Sequence, residues 1–115
     1  MTVIFLSSDL MFSSRLLGAA QALGTQVQVA ARPAALGDKL TADCRLVLVD
    51  LSLDGLDLPA AVTLVRAAAP QARVIAFDAH VNEAALSAAE AAGCDLVLTR
   101  GQFHKQYTEL LRGTV

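Results

Sequence analysis

Short runs of continuous apolar residues alternate along this chain with longer stretches whose apolar positions recur at helical spacing. Val3–Leu6 is one such run, the pattern of a strand covered on both faces. From Leu10 to Leu23 the spacing predicts a helix. Phe12, Leu16, Ala19, Ala20 and Leu23 fall on one stripe, with Ser14, Arg15 and Gln21 away from it. Asp9 suits its N-cap and Gly24 a left-handed end. Gln26–Ala30 alternates polar and apolar, as a half-exposed edge strand does. Pro33 opens a short second helix through Leu40. Arg45–Val49 is a third strand. Pro59 then starts a third helix that ends before Pro70. Arg73–Phe77 reads as the fourth strand. Asn82 is placed to cap a fourth helix that ends at Gly93. Leu96–Leu98 is the fifth strand. The fifth helix runs from Gln102 to Arg112, with Phe103, Tyr107, Leu110 and Leu111 on one face and Lys105, Thr108 and Arg112 turned away.

This alternation predicts an α/β fold, (βα)5, built as a three-layer sandwich around a parallel sheet with right-handed crossovers. No linker or repeat interrupts it, so residues 1–115 read as one domain. The polar alternation of the second strand puts it at an edge, which fits the order 2-1-3-4-5. In that order, ligands and chemistry collect at the carboxyl ends of strands 1 and 3.

Composition narrows the possible functions. Hydrophobic residues make up 55 % and charged residues 17 %, which argues against disorder. The net charge of −2 comes with no basic stripe, so nucleic acid is not an expected partner. Cys44 and Cys94 make no disulfide scaffold and share no metal spacing; they read as small buried hydrophobes. The amino end lacks a basic region and meets Ser7-Ser8-Asp9 too early for a signal peptide. No apolar run reaches the length that spans a membrane. A cytoplasmic protein is expected.

Asp50 is the residue that carries chemistry. It ends the run Leu46-Val47-Leu48-Val49, where a charge has no use to a buried strand and usually belongs to a site. Leu51-Ser52-Leu53-Asp54-Gly55-Leu56-Asp57 follows. Further on, Ala91-Ala92-Gly93-Cys94-Asp95 leads into Leu96-Val97-Leu98-Thr99-Arg100-Gly101-Gln102-Phe103. With these two segments the chain resembles the receiver domain of bacterial response regulators (CheY-like, flavodoxin-like) over nearly its whole length. The resemblance implies a two-component or phosphorelay role, with Asp50 at the position that takes a phosphoryl group from a histidine kinase. Asp54 stands where that family commonly has Pro.

The resemblance also implies company that this sequence lacks. The acidic pair that helps hold Mg²⁺ falls on Ser7 and Ser8. The Lys after strand 5 falls on Arg100, and the cis-Pro after it on Gly101. The Thr or Ser that bonds the phosphate falls on Asp78, and the aromatic switch position on Val97. Ser52 stands where a backbone carbonyl would meet the metal. A hard cation held by one Asp and two hydroxyls binds poorly. Asp78 would place a negative charge near an incoming phosphate. A unit charge pair at about 4 Å interacts by about 4 kcal/mol at an effective dielectric of about 20.

The expectation is therefore an atypical receiver, or pseudo-receiver, that signals through protein contacts without Mg-dependent phosphorylation. Arg100 is expected to be held by Asp50, Asp78 or both. No catalytic set and no cofactor are expected; Asp9, Asp50 and Asp78 are the acids from which a residual Mg²⁺ site could be built, although Asp9 better suits the helix cap. One alternative is a working phosphorelay receiver that uses Asp50. Another is a flavodoxin-like small-ligand or nucleotide-binding module, but the hydroxyl-rich first loop lacks glycines and its acidic neighbours would repel an anion. Partners implied by the resemblance are a histidine kinase or an output protein. A homodimer through helix 4, strand 5 and helix 5 is also implied. On helix 4, Ala85, Ala88, Ala89 and Ala92 are read as the inner face, with Glu83, Ser87 and Glu90 outside. His80 and His104 read as surface groups.

Overall fold

The computed structural model describes residues 2–114. Its elements run β1 (Thr2–Leu6), α1 (Leu10–Leu23), β2 (Gln26–Ala30), a 3₁₀ turn (Pro33–Ala35), α2 (Leu36–Lys39), β3 (Cys44–Asp50), α3 (Leu58–Ala68), β4 (Arg73–Asp78), α4 (Glu83–Ala91), β5 (Leu96–Thr99) and α5 (Arg100–Arg112). The five strands form one parallel sheet in the order β2-β1-β3-β4-β5, as the pattern predicted.

The continuous apolar runs are explained by burial on both faces. Val3, Phe5, Leu46, Leu48, Ile75 and Phe77 pack toward α1 and α5, against Phe12, Leu16, Phe103, Leu110 and Leu111. Their neighbours Ile4, Leu6, Val47, Val49, Val74 and Ala76 pack on the other side with Leu36, Val62 and Val65. Period-two alternation thus supplies two cores from one set of strands. All four phenylalanines lie in the α1–α5 layer, where Phe77 and Phe103 stack with centroids 3.9 Å apart. Each fully buried ring removes enough apolar area to contribute about 1.5–3 kcal/mol.

Helix ends follow their local chemistry. Asp9 caps α1 by accepting the Phe12 N–H at 2.9 Å, and Gly24 ends it at φ 68°. Asp57 caps α3 by accepting the Ala60 N–H. α5 starts two residues earlier than expected, because Thr99 and Gln102 form a reciprocal capping box. The second helix begins as a 3₁₀ turn, and β3 and β4 each extend to include their terminal Asp.

Two expectations about α4 need correction. Asn82 precedes the helix but makes no side-chain cap; its amide nitrogen donates to Asp78 Oδ1. Ala88 is exposed; Ala85, Ala89 and Ala92 alone of the four alanines turn inward. Cys44 is buried at the start of β3 while Cys94 is half-buried, and burial pushes both thiols up.

Candidate functional site

The sheet register sets the site. β1 and β3 are adjacent, with Leu6 opposite Val49, so Ser7 and Asp50 leave the sheet side by side. Asp50 is opposite Phe77 on β4, and Asp78 is opposite Thr99 on β5. Ser7, Asp50, Asp78 and Arg100 therefore share the carboxyl edge of the sheet.

Asp50 is 3 % exposed, and both its oxygens are occupied. Oδ2 accepts the Ser7 hydroxyl at 2.7 Å. Oδ1 accepts the Ser52 N–H at 3.0 Å and the Ser52 hydroxyl at 2.6 Å. The Ser52 N–H bond is the local turn that an Asp side chain makes with the backbone two residues on. Ser7 is itself fixed, because its Oγ accepts the Asp9 N–H at 3.1 Å while it donates to Asp50. Ser8 is exposed.

Arg100 closes this group from the first position of α5. Its Nη2 lies 3.5 Å from Asp50 Oδ1 and donates to Ser52 Oγ at 3.4 Å. Its guanidinium carbon stands 5.4 Å from the centre of the Phe77 ring. One nitrogen makes both polar contacts while the guanidinium lies over the ring, an arrangement that Arg favours more than Lys. The direct attraction at this distance is about 5 kcal/mol at an effective dielectric of about 20. Desolvation of the buried carboxylate offsets most of it, so the pair fixes geometry more than it adds stability.

Asp78 follows a different course from the one open in the sequence. It is 3 % exposed, and its Oδ1 accepts the Ala79 N–H at 2.7 Å and the Asn82 amide at 3.0 Å. It is committed to the β4–α4 turn, and the ion pair of Arg100 is with Asp50.

These residues do not fit a magnesium site. Ser7 and Ser52 point hydroxyl donors at Asp50, whereas a hard cation needs lone pairs converging on it. The Asp9 carboxylate is engaged as a helix cap. Among the described residues, no group of three or more His, Cys, Asp or Glu is placed to hold a metal.

No protein-family model matches the sequence, and no curated protein matches it. The three-dimensional arrangement does have solved counterparts. A response-regulator signal receiver domain from Bermanella marisrubri superposes with a TM-score of 0.76 at 20 % identity, covering 96 % of this chain and 97 % of that one. The beryllofluoride-activated NtrC4 receiver domain dimer gives 0.75 at 13 % identity over 99 % and 98 %. A response regulator from Burkholderia pseudomallei, solved with a phosphorylated aspartic acid, a calcium ion and citrate, gives 0.71 at 19 % identity. The chain has the receiver-domain fold. That match covers 86 % of this chain, which spans 59 % of the length of the Burkholderia protein.

Within the receiver fold, two contributors to this edge were not read from the sequence. Phe77 looks like ordinary strand filling, yet it lies under Arg100 and stacks on Phe103. Asn82 reads as a helix cap, yet it holds Asp78. The spacing of Asp78 and Asn82, four residues apart across a turn, was the available signal for the second.

His104 flanks the edge from α5. Its ring lies 4.6 Å from that of Phe12 and nearly parallel to it. Burial, with the nearby charges of Arg100 and Arg15, holds its pKa below the usual histidine value, and Asp9 opposes them.

Proposed function

We propose that this chain is a receiver-like regulatory module of bacterial signal transduction that acts in the cytoplasm through protein–protein contacts, in a conformation set by the Asp50–Arg100 pair and not by Mg-dependent phosphorylation. Residues 1–115 act as one such domain in this reading, as a signalling module and not as an enzyme. The observation that carries it is the set of contacts that Asp50 already makes. Each oxygen already accepts a hydroxyl, and an arginine lies against one of them.

A phosphoryl acceptor needs a free carboxylate oxygen and a cation that offsets repulsion from the incoming phosphate. Here each oxygen is already engaged by a serine hydroxyl, which lowers its nucleophilicity, and no carboxylate pair stands beside it to hold the cation. Arg100 meanwhile ties the acceptor position to Phe77 and, through the ring stack, to Phe103 on α5. A receiver output surface would thus be held in one arrangement. Its partner is a histidine kinase or an output protein. The open edge of β5, with α4 and α5 beside it, is the surface through which a partner or a second copy would read this state. Among the described residues no helix is long and apolar enough to cross a membrane.

The second reading is a phosphorelay receiver that accepts phosphate on Asp50, favoured by the place of Asp50 at the end of β3. Incubation with a small phosphodonor and Mg²⁺, followed by mass spectrometry of the intact protein and its peptides, separates the two. An unmodified chain is expected. A phosphoryl adduct on Asp50 would overturn the first reading in favour of the second.

A further inference from the structure

The amino edge of the sheet, opposite the Asp50 edge, carries a cleft of about 490 Å³. Leu23 and Thr25 line it from the α1–β2 turn, Arg45 from the start of β3, and Leu111, Arg112 and Gly113 from the end of α5. No Asp or Glu lines it, in a chain with 11 acids and 9 bases. Asp43 and Glu109 are the acids nearest in sequence, and both lie outside the lining.

The polar groups of the cleft have donors to spare. Arg45 is half-buried, and its Nη2 donates to the Leu111 carbonyl. Its Nη1 faces Gly113, where a Cβ would stand 3.8 Å from it. Arg112 is exposed, and among the described residues neither arginine is in an ion pair. The Thr25 N–H donates to the Ala20 carbonyl at 2.9 Å, while its hydroxyl has no partner among the described residues. A charged group taken partly out of water ordinarily has a counter-charge.

The C-termini of α1 and α5 also point at this edge, and free carbonyls there would repel an anion. They are already partnered. Gly24 and Thr25 donate to Gln21 and Ala20, Gly113 and Thr114 to Leu110 and Glu109, and Arg45 to Leu111. Arg112 and the second nitrogen of Arg45 are surplus to that task.

Ligand sites ordinarily offer about 300–1,000 Å³, apolar walls and a few convergent polar groups. Leu23 and Leu111 supply the walls. Guanidinium forks match phosphate oxygens, and a phosphomonoester carries about −1.5 to −2 charge on three acceptor oxygens. A carboxylate, with a single charge, would leave one arginine unmatched. We propose that this cleft binds a small phosphomonoester, with its phosphate on Arg45, Arg112 and Thr25 and its apolar body on Leu23 and Leu111. The site does not use Asp50, and its failure would leave the reading of that residue untouched.

Titration of isotope-labelled protein with phenyl phosphate at constant ionic strength tests it. Saturable shifts are expected at the amides of Thr25, Arg45, Arg112 and Gly113, with a rise in melting temperature. Arg112→Gln is expected to weaken binding about tenfold or more, and Thr25→Val by less. Both positions lie outside the core, and circular dichroism checks that the variants fold. Benzyl alcohol, which lacks the phosphate, is expected to give no saturable shift. No saturable shift with phenyl phosphate up to roughly 10 mM would overturn the proposal. So would shifts that merely follow added sodium chloride, unchanged affinity in folded Arg112→Gln, or benzoate binding as tightly as phenyl phosphate. Shifts confined to Ser52 and Arg100 would place the anion at the other edge and overturn it equally.

Discussion

Arg100 reaches from the first turn of α5 to within 3.5 Å of Asp50 at the end of β3. The same guanidinium lies over Phe77, which stacks on Phe103 three residues into α5. A charge at the sheet edge and a ring in the core are thereby held by one side chain.

Arg100→Ala should lower stability by about 1 kcal/mol, because Asp50 loses its cation but keeps the Ser7 and Ser52 donors. Arg100→Lys should recover part of that loss and less of the contact with the Phe77 ring. Urea titration reads the stability, and amide chemical shifts of Phe77 and Phe103 read the coupling. Unchanged stability together with unchanged shifts would show that Arg100 is an independent surface charge.

Restoring acids should restore a cation site. Ser7→Asp puts a second carboxylate where the Ser7 hydroxyl now donates at 2.7 Å, so the metal-free variant should melt lower than wild type. Ser8→Asp, at an exposed position, adds a further ligand. The double variant should regain stability with added Mg²⁺, by the mass action of a ligand that binds only the folded state. Wild type should show no Mg²⁺-dependent rise in melting temperature. A rise of equal size in wild type would mean that its own residues already bind the cation.

The sheet order was legible because each strand carries its own signature. Val3–Leu6 is apolar throughout and must be central, whereas Gln26 and Gln28 mark β2 as an edge. Helix limits were less legible where a cap depends on a reciprocal bond, as at Thr99 and Gln102. At the sheet edge, spacing and resemblance named the positions but not the pairings. Arg100 had two acids within reach in the sequence. The choice of Asp50 rests on Asp78 being satisfied by Asn82 and the Ala79 N–H, a competition between side chains that no periodicity encodes. Phe77 escaped notice for a related reason: an aromatic in a buried strand has the same pattern whether or not a cation covers it.

His104 should make stability depend on pH just below neutrality. Its folded pKa is lowered by burial first and then by Arg100 and Arg15, so the unfolded chain binds the proton more readily. The contribution is complete above the unfolded value of about 6.5 and is lost as pH falls from there through the folded pKa. His104→Gln should therefore flatten the melting temperature between about pH 7.5 and pH 5 relative to wild type. Arg15→Gln should flatten it in part. Parallel curves for wild type and His104→Gln would remove the histidine from the account.

Asp95 should dominate a second, more acidic limb. Burial works to raise its pKa, but the Val74 N–H and the Arg66 guanidinium outweigh it and hold the carboxyl below its usual value. Its Oδ2 accepts the Val74 N–H at 2.7 Å, and its own N–H returns a bond to the Val74 carbonyl at 2.8 Å. Asp95 therefore ties the start of β5 to β4. The Arg66 pair is 3.1 Å long but more than a third exposed on both sides, so it adds little by itself. Asp95→Ala leaves the Val74 N–H without this acceptor and should cost about 1–2 kcal/mol. Asp95→Asn keeps an acceptor and should cost less. The stability due to the charge is present above the unfolded carboxyl value of about 3.9 and is lost as pH falls through the lower folded pKa. Both variants should consequently lose less stability than wild type between about pH 4 and pH 2. Equal acid-limb slopes in denaturant titrations of wild type and Asp95→Asn would show that another carboxylate carries that limb.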